Sequence, residues 1–256
     1  MRRMFSQPAR RILSARRSGK GNTHSNHDGR LPRWKRMLDL FLILVMLPGA
    51  LLVGLAVAII IKVGSKGPVF FRQQRVGFKG RLFTCFKFRT MHLRSETSSH
   101  RAYTRQLMKS DTPMIKLDSR SDPRLIPLGA MIRATGLDEL PQLINVLLGD
   151  MSMVGPRPCI PYEYEAYEPW QRRRFDAYPG LTGLWQVSGK NKTTFNQMIQ
   201  FDIEYAQRLS LWLDLKIVFL TVPAILKQCS EVRFKKPRFV TSASADLVKP
   251  VHTHPL

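Results

Sequence analysis

From Leu40 to Ile61 the chain runs 22 positions without a charged residue. As a helix this stretch spans roughly 33 Å, about one hydrocarbon core. A buried core helix is rarely this long and apolar all round. A cleaved signal segment has a shorter apolar run and a small-x-small exit, which this stretch lacks. It therefore reads as a membrane helix. Pro48-Gly49 lies inside it, and proline removes a backbone hydrogen bond and bends the helix that contains it.

Past this stretch the periodicity changes. Gly67 to Thr90 reads as a β-hairpin: Val69 and Phe71 alternate with polar neighbours, Gly77-Phe78-Lys79-Gly80 supplies the turn, and Phe86 and Phe88 alternate again. Residues 92–120 are polar and irregular, a helix followed by a loop. Leu137, Leu140, Ile144 and Leu147 recur at helical spacing, which predicts a helix from Leu137 to Leu148. Pro141 fits only its first turn, so the start falls near Thr135–Asp138. Residues 155–190, rich in Gly, Pro and aromatics, read as an ordered loop region over a site. Phe195–Arg208 and Leu211–Lys227 read as helices, the second either packed in the core or lying in a membrane interface with its apolar face down. The resulting organisation is a basic disordered tail (1–36), a membrane helix (37–63), a folded domain (64–230) and a second disordered tail (231–256).

Charge adds direction to this outline. The net charge is +23, which calls for an anionic partner: nucleic acid, lipid headgroups or a phosphorylated substrate. Residues 1–36 hold eleven Lys/Arg and one acid, Asp28. That composition fits a transit peptide or, given the apolar stretch next to it, a tether to anionic membrane lipids. After the apolar stretch come Lys62, Lys66, Arg72, Arg75, Lys79 and Arg81 with no acid among them. Basic flanks stay cytoplasmic, so both ends of the stretch favour one side, and a helix bent at Pro48-Gly49 can enter and leave by the same face. Cys85, Cys159 and Cys229 are odd in number and widely spaced, which argues against a disulfide framework or zinc site and for a reducing compartment.

The densest polar constellation is Arg133-Ala-Thr-Gly-Leu-Asp138-Glu139-Leu-Pro141-Gln142. Two adjacent carboxylates stand where a helix is expected to begin. They can serve as an N-cap and a first-turn acid. They can also hold a divalent metal or attack phosphorus at a helix end that attracts phosphate. Cations surround them in sequence: Lys87-Phe88-Arg89-Thr90, Asp122-Pro123-Arg124, Arg133 and Pro156-Arg157-Pro158. An Arg between two prolines has little backbone freedom, which suits a preorganised phosphate fork.

Leu137-Asp138-Glu139-Leu140-Pro141-Gln142-Leu143, Asn145-Val146-Leu147, Gly149-Asp150-Met151-Ser152 and Val154-Gly155-Pro156-Arg157-Pro158 together resemble the bacterial sugar transferases. These are polyprenyl-phosphate phosphoglycosyl transferases that start exopolysaccharide and O-antigen assembly. Lys35-Arg36-x-x-Asp39, Gly67-Pro68-Val69-Phe70-Phe71-Arg72-Gln73, Arg75-Val76-Gly77, Lys87-Phe88-Arg89-Thr90-Met91, Asp122-Pro123-Arg124 and Pro179-Gly180-Leu181-Thr182-Gly183 extend the match over Lys35 to Leu226.

The resemblance implies an α+β, mostly helical monotopic membrane protein: a re-entrant N-terminal membrane helix, a short β-hairpin and interfacial amphipathic helices. It implies transfer of a hexose-1-phosphate from a UDP-sugar to polyprenyl phosphate, with Asp138 as nucleophile and Glu139 binding Mg²⁺. Lys87, Arg89, Arg133 and Arg157 would hold phosphates or the carboxylate pair, and Lys190 a phosphate. Two positions depart from the family pattern. Lys190 stands where Arg is usual, a point charge in place of a fork, and Leu47-Pro48 stands where Ser-Pro is usual. The implied location is the cytoplasmic face of a bacterial inner membrane, with a homodimer admitted and nucleic acid excluded as a partner. Two rival classes arise from charge and the apolar span alone: a membrane-tethered basic binding protein, and a single-pass scaffold.

Overall fold

The computed structural model describes residues 31–92, 104, 106–108, 110, 112–114, 124–189 and 193–234, with side chains through Lys227. The apolar stretch forms one helix, α1, from Arg33 to Gly64, with Pro48 inside it. None of residues 44–56 is buried. Both ends of α1, however, dock on the same folded domain. At the N-terminal end Lys35, Asp39 and Ile43 are buried; at the C-terminal end Val57 and Ile61 are.

The hairpin forms as expected. Strand β1 (Phe70–Val76) pairs antiparallel with β2 (Leu82–Phe88), Phe70 facing Phe88 and Val76 facing Leu82. The Gly77–Gly80 turn closes it, with Lys79 at φ 52° and Gly80 at φ 78°. Phe83 and Cys85 of β2 enter the main core with Ile43, Leu143, Val146, Met151, Leu184 and Ile217. Phe88 joins a second cluster with Val57, Ile61, Ile126 and Ile132.

The helix expected over Leu137–Leu148 is two elements. After helix α2 (Gly129–Thr135), Gly136 turns the chain at φ 77° and a 3₁₀ turn holds Leu137–Glu139. Helix α3 is only Gln142–Leu148, with Pro141 just before it. The cause is local: Pro141 has no N–H to give back to Leu137 and its ring crowds that carbonyl. The chain tightens instead, with Leu140 N–H to the Leu137 carbonyl (3.3 Å) and Leu143 N–H to the Leu140 carbonyl (3.1 Å).

Residues 155–190 are also more regular than a loop region. Strand β3 (Ser152–Val154) pairs parallel with β4 (Gly180–Thr182), and short helices α4 (Pro161–Glu165) and α5 (Leu184–Val187) and a 3₁₀ segment (Gln171–Asp176) complete the region. Three-residue strands are too short to show alternation. What permits the pairing is Gly155, where an added Cβ would collide with the Tyr178 carbonyl oxygen and the Gly180 nitrogen.

Helix α6 (Phe195–Gln207) forms where expected, opened by Thr194, whose hydroxyl accepts from Gln197 N–H. Helix α7 runs from Leu211 to Phe234, seven residues past the expected end and into the segment read as a tail. It buries Asp214 and Ile217 but exposes Trp212 (79%) and Phe219 (75%), so core packing accounts for only one of its faces. Of the 92–120 segment, Thr104 and residues 106–108 are helical among the described residues.

Candidate active site

The hairpin and the 3₁₀ turn meet at the predicted site. Lys87 Nζ on β2 donates to Glu139 Oε1 at 2.8 Å, across 52 positions of sequence. Asn145 sets that approach. It is fully buried on α3, accepts from Phe86 N–H through Oδ1 (3.0 Å) and donates to the Thr84 carbonyl through Nδ2 (2.7 Å). One amide thus replaces a strand neighbour for β2 and locks α3 against it, with the carboxylates on the turn just before.

Asp138 is 8% exposed. Neither Gly136 nor Pro141 makes a side-chain cap hydrogen bond, and the flanking position of α3 is Pro141. The capping role open to Asp138 in the sequence is therefore not the one it takes. Its place in a 3₁₀ turn, ahead of a helix of seven residues, also shifts the electrostatics. A seven-residue helix offers a weak dipole, and the cation that the geometry puts on this turn is Lys87, at Glu139.

The predicted cations are not used alike. Arg133 on α2 lies with Nη1 3.5 Å from Thr90 Oγ1, just after β2. Arg89 is 3% exposed and gives Nε to the Pro68 carbonyl (2.6 Å), Nη1 to Ser65 Oγ (3.0 Å) and Nη2 to the Ser65 carbonyl (3.1 Å). It ties the end of α1 to the start of the hairpin, so a phosphate would have to displace those bonds to reach it. Arg124 is brought beside β2 by the Met91–Leu125 bridge. Arg157 holds Nη1 3.6 Å from Glu163 Oε2 with a third of its side chain exposed, and Glu139 is among the charges acting on it. Lys190 lies outside the described residues.

Three residues that the sequence alone gave no role also belong to the site. Arg75 on β1 is 7% exposed, and the charges of Arg157, Glu163, Cys85 and Glu139 act on it. Burial pulls its pKa below the usual arginine value. Arg174 is completely buried, pairs with Asp202 and donates Nη1 to Tyr167 Oη at 2.7 Å. Glu163 completes the set through Arg157. The sequence signal was slight: β1 buries only its last two residues, Arg75 and Val76, and a buried charge needs a reason that alternation alone does not reveal. Burial also pushes the Cys159 thiol up to about 11, and Cys85 likewise upward, which makes both inert at neutral pH.

Among the described residues no three His, Cys, Asp or Glu side chains converge as a metal cage. The donors present are two adjacent carboxylates, Asp138 and Glu139. That set suits a hard cation shared with phosphate oxygens and water, the usual arrangement for Mg²⁺.

Residues 31–228 match the family model described as "Bacterial sugar transferase". The chain is 40% identical over 195 residues to Galactosyl transferase CpsE of Streptococcus agalactiae, covering 75% of this chain and 42% of that protein. It is 38% identical over 171 residues to Exopolysaccharide production protein ExoY of Rhizobium meliloti, covering 67% of this chain and 76% of that one. It is 43% identical over 204 residues to the UDP-glucose:undecaprenyl-phosphate glucose-1-phosphate transferase of Caulobacter vibrioides, covering 75% and 69%. The chain thus spans less than half of some relatives and most of others. The match over nearly all the described fold, together with a carboxylate pair set among cations, places this chain in the bacterial sugar transferase family.

Proposed function

We propose that this protein transfers a hexose-1-phosphate from a UDP-sugar to polyprenyl phosphate, giving polyprenyl-diphospho-sugar and UMP. The observation that carries the reading is the adjacent Asp138–Glu139 pair held against Lys87 by the Asn145 clasp. Relatives whose names specify undecaprenyl-phosphate galactose or glucose-1-phosphate transfer support the same reaction class.

An Asp138 carboxylate oxygen attacks the β-phosphorus. A new P–O bond forms, the bond to the bridging oxygen breaks, and UMP leaves with that electron pair. The acceptor's phosphate oxygen then attacks the same phosphorus and expels the carboxylate, so Asp138 is regenerated. Lys87, Arg133 and Arg157 balance the charge of the diphosphate and its transition state. Glu139 would hold Mg²⁺ with the substrate phosphates, and the ion would supply neutralisation of the leaving oxygen. Lys87 Nζ donates to Glu139 Oε1 and so orients that carboxylate.

Purified protein incubated with polyprenyl phosphate, Mg²⁺ and a panel of radiolabelled UDP-sugars should give a lipid-extractable product from UDP-glucose or UDP-galactose. Absence of lipid product from every UDP-sugar would overturn the reading. A basic binding protein or scaffold would give none.

The docking of both ends of α1 on one domain supports a re-entrant arrangement. Lys35 Nζ donates to the Val154 carbonyl, and Asp39 accepts from Ser152 Oγ and Met153 N–H. Arg36 covers the last carbonyls of α3, at Val146 and Leu147. At the other end Val57 and Ile61 pack with Phe88, Ile126 and Ile132. A helix crossing the bilayer delivers its two ends to opposite faces, whereas here one domain receives both. The exposed middle, from Leu44 to Ala56, then dips into the apolar phase and returns, with the domain on the cytoplasmic face of the inner membrane. Trp212, Phe219 and Leu226 of α7, exposed and apolar, suit the interface. Cysteines replacing the exposed Arg33 and Lys66 in a Cys229→Ser chain should both escape a membrane-impermeant thiol reagent in intact cells. Labelling of one but not the other would mean that the helix crosses.

A further inference from the structure

The segment that carries Arg157 is held by its backbone in an unusual way. Gly155 N–H donates to the Thr182 carbonyl (2.8 Å). Then four successive carbonyls each accept from a distant donor. Pro156 accepts from Gly180 N–H (2.9 Å), Arg157 from Arg174 Nη2 (2.7 Å), Pro158 from Arg75 Nη1 (3.0 Å) and Cys159 from Val76 N–H (2.9 Å). Pro156 and Pro158 have no N–H to satisfy. The two middle carbonyls, those of Arg157 and its neighbour Pro158, are taken by buried guanidiniums and not by a strand.

Those guanidiniums are expensive components. Arg174 is offset by Asp202, but among the described residues no carboxylate lies within ion-pair distance of Arg75, and its buried Nε has no partner. Its other terminal nitrogen donates to Gln73 Oε1 at 2.7 Å. Burying a cation with no carboxylate in ion-pair contact is strongly unfavourable. A neutral donor would have held the Pro158 carbonyl at lower cost. The charge is retained next to Arg157, Glu163 and Glu139, which all act on Arg75.

We infer that Arg75 and Arg174 form a pincer on the Arg157 carbonyl segment, positioning the Arg157 fork for the diphosphate of the incoming nucleotide-sugar. Glu163 completes it by steering the Arg157 head from the side, through Nη1. The two pincer arginines are positioning residues: they act through Arg157, whose backbone segment they hold. This rests on the transferase reading.

The test is a double-mutant cycle on full-length protein in detergent with Mg²⁺, read as the Kd for UDP, which carries the diphosphate but no sugar to transfer. Arg75→Met should weaken UDP binding roughly 10- to 100-fold, the worth of one well-placed charge-assisted contact. In an Arg157→Ala background the same change should cost much less, because the fork it positions is gone. Arg75→Lys, which keeps the charge and one donor, should recover part of the loss. Should Arg75→Met lose its folded circular-dichroism signal, the same cycle run with Arg75→Lys decides the matter, with a smaller loss expected in the Arg157 protein and none in Arg157→Ala. Equal losses in both backgrounds, or no loss in the Arg157 protein, would overturn the pincer while lipid-product formation by the wild type leaves the transferase reading standing. A wild type that neither binds UDP nor forms lipid product overturns both.

Discussion

Asp138→Asn should reduce turnover by about three orders of magnitude or more, the scale seen when a covalent nucleophile is removed, while the protein still folds. The substitution keeps shape and one carbonyl oxygen but removes the charge that attacks phosphorus. Structure gives the reason to expect intact folding. Asp138 lies inside the 3₁₀ turn and is the N-cap residue of neither that turn nor α3, and asparagine matches its size. The lock between β2 and α3 belongs to Asn145. Turnover near the wild-type rate, measured as radiolabelled lipid product, would remove Asp138 from the chemistry. Loss of folding with loss of turnover would reassign it to structure.

The second large effect is on stability and needs no substrate. Lys35→Met should destabilise the protein by about 3–5 kcal/mol, the usual penalty for stripping one partner from a buried ion pair. Lys35 sits at 1% exposure between the Asp214 carboxylate, Tyr205 Oη (2.8 Å) and the Val154 carbonyl (2.8 Å). Asp214 is itself 0% exposed, with Tyr205 Oη donating to it at 2.7 Å. Burial already raises its pKa, and Lys35 is the first of the groups opposing that rise. Without Lys35 the carboxylate must protonate or stay charged in the interior. The double variant Lys35→Met/Asp214→Leu should regain most of the loss, since replacing both ions by apolar groups is often close to neutral. Denaturant unfolding in detergent distinguishes these outcomes. Equal stability of Lys35→Met and wild type would mean the pair contributes nothing to docking the start of α1 on α7.

Much of this molecule is legible from residue order, and the parts that are not share a cause. The hairpin declares itself because Phe71, Phe86 and Phe88 alternate around a glycine-bounded turn. Helix α1 declares itself because no soluble core needs 22 uncharged positions in a row. The parallel pair β3–β4 does not, because its three-residue strands meet through glycine backbones, and close approach of backbones leaves no side-chain pattern. Pro141 marks a break that periodicity alone smooths over: the leucines keep their spacing while the hydrogen bonds change partners. At the site, residue types were readable but their commitments were not. Arg89 and Lys87 stand two apart along the chain. Lys87 reaches Glu139, whereas Arg89 is spent on Ser65 and Pro68. Arg75 reads as one more basic residue after the membrane stretch, and its burial and its bond to the Pro158 carbonyl are visible only in the fold.

In the proposed two-step route Asp138 takes the sugar phosphate from the nucleotide before the lipid arrives. The direct measurement is UMP released when purified protein meets Mg²⁺ and its UDP-sugar with no polyprenyl phosphate present. The two-step route predicts UMP in an amount near one per active site, absent in Asp138→Asn, followed by lipid product when the acceptor is added. No UMP until the lipid is added would contradict it and indicate direct transfer within a ternary complex.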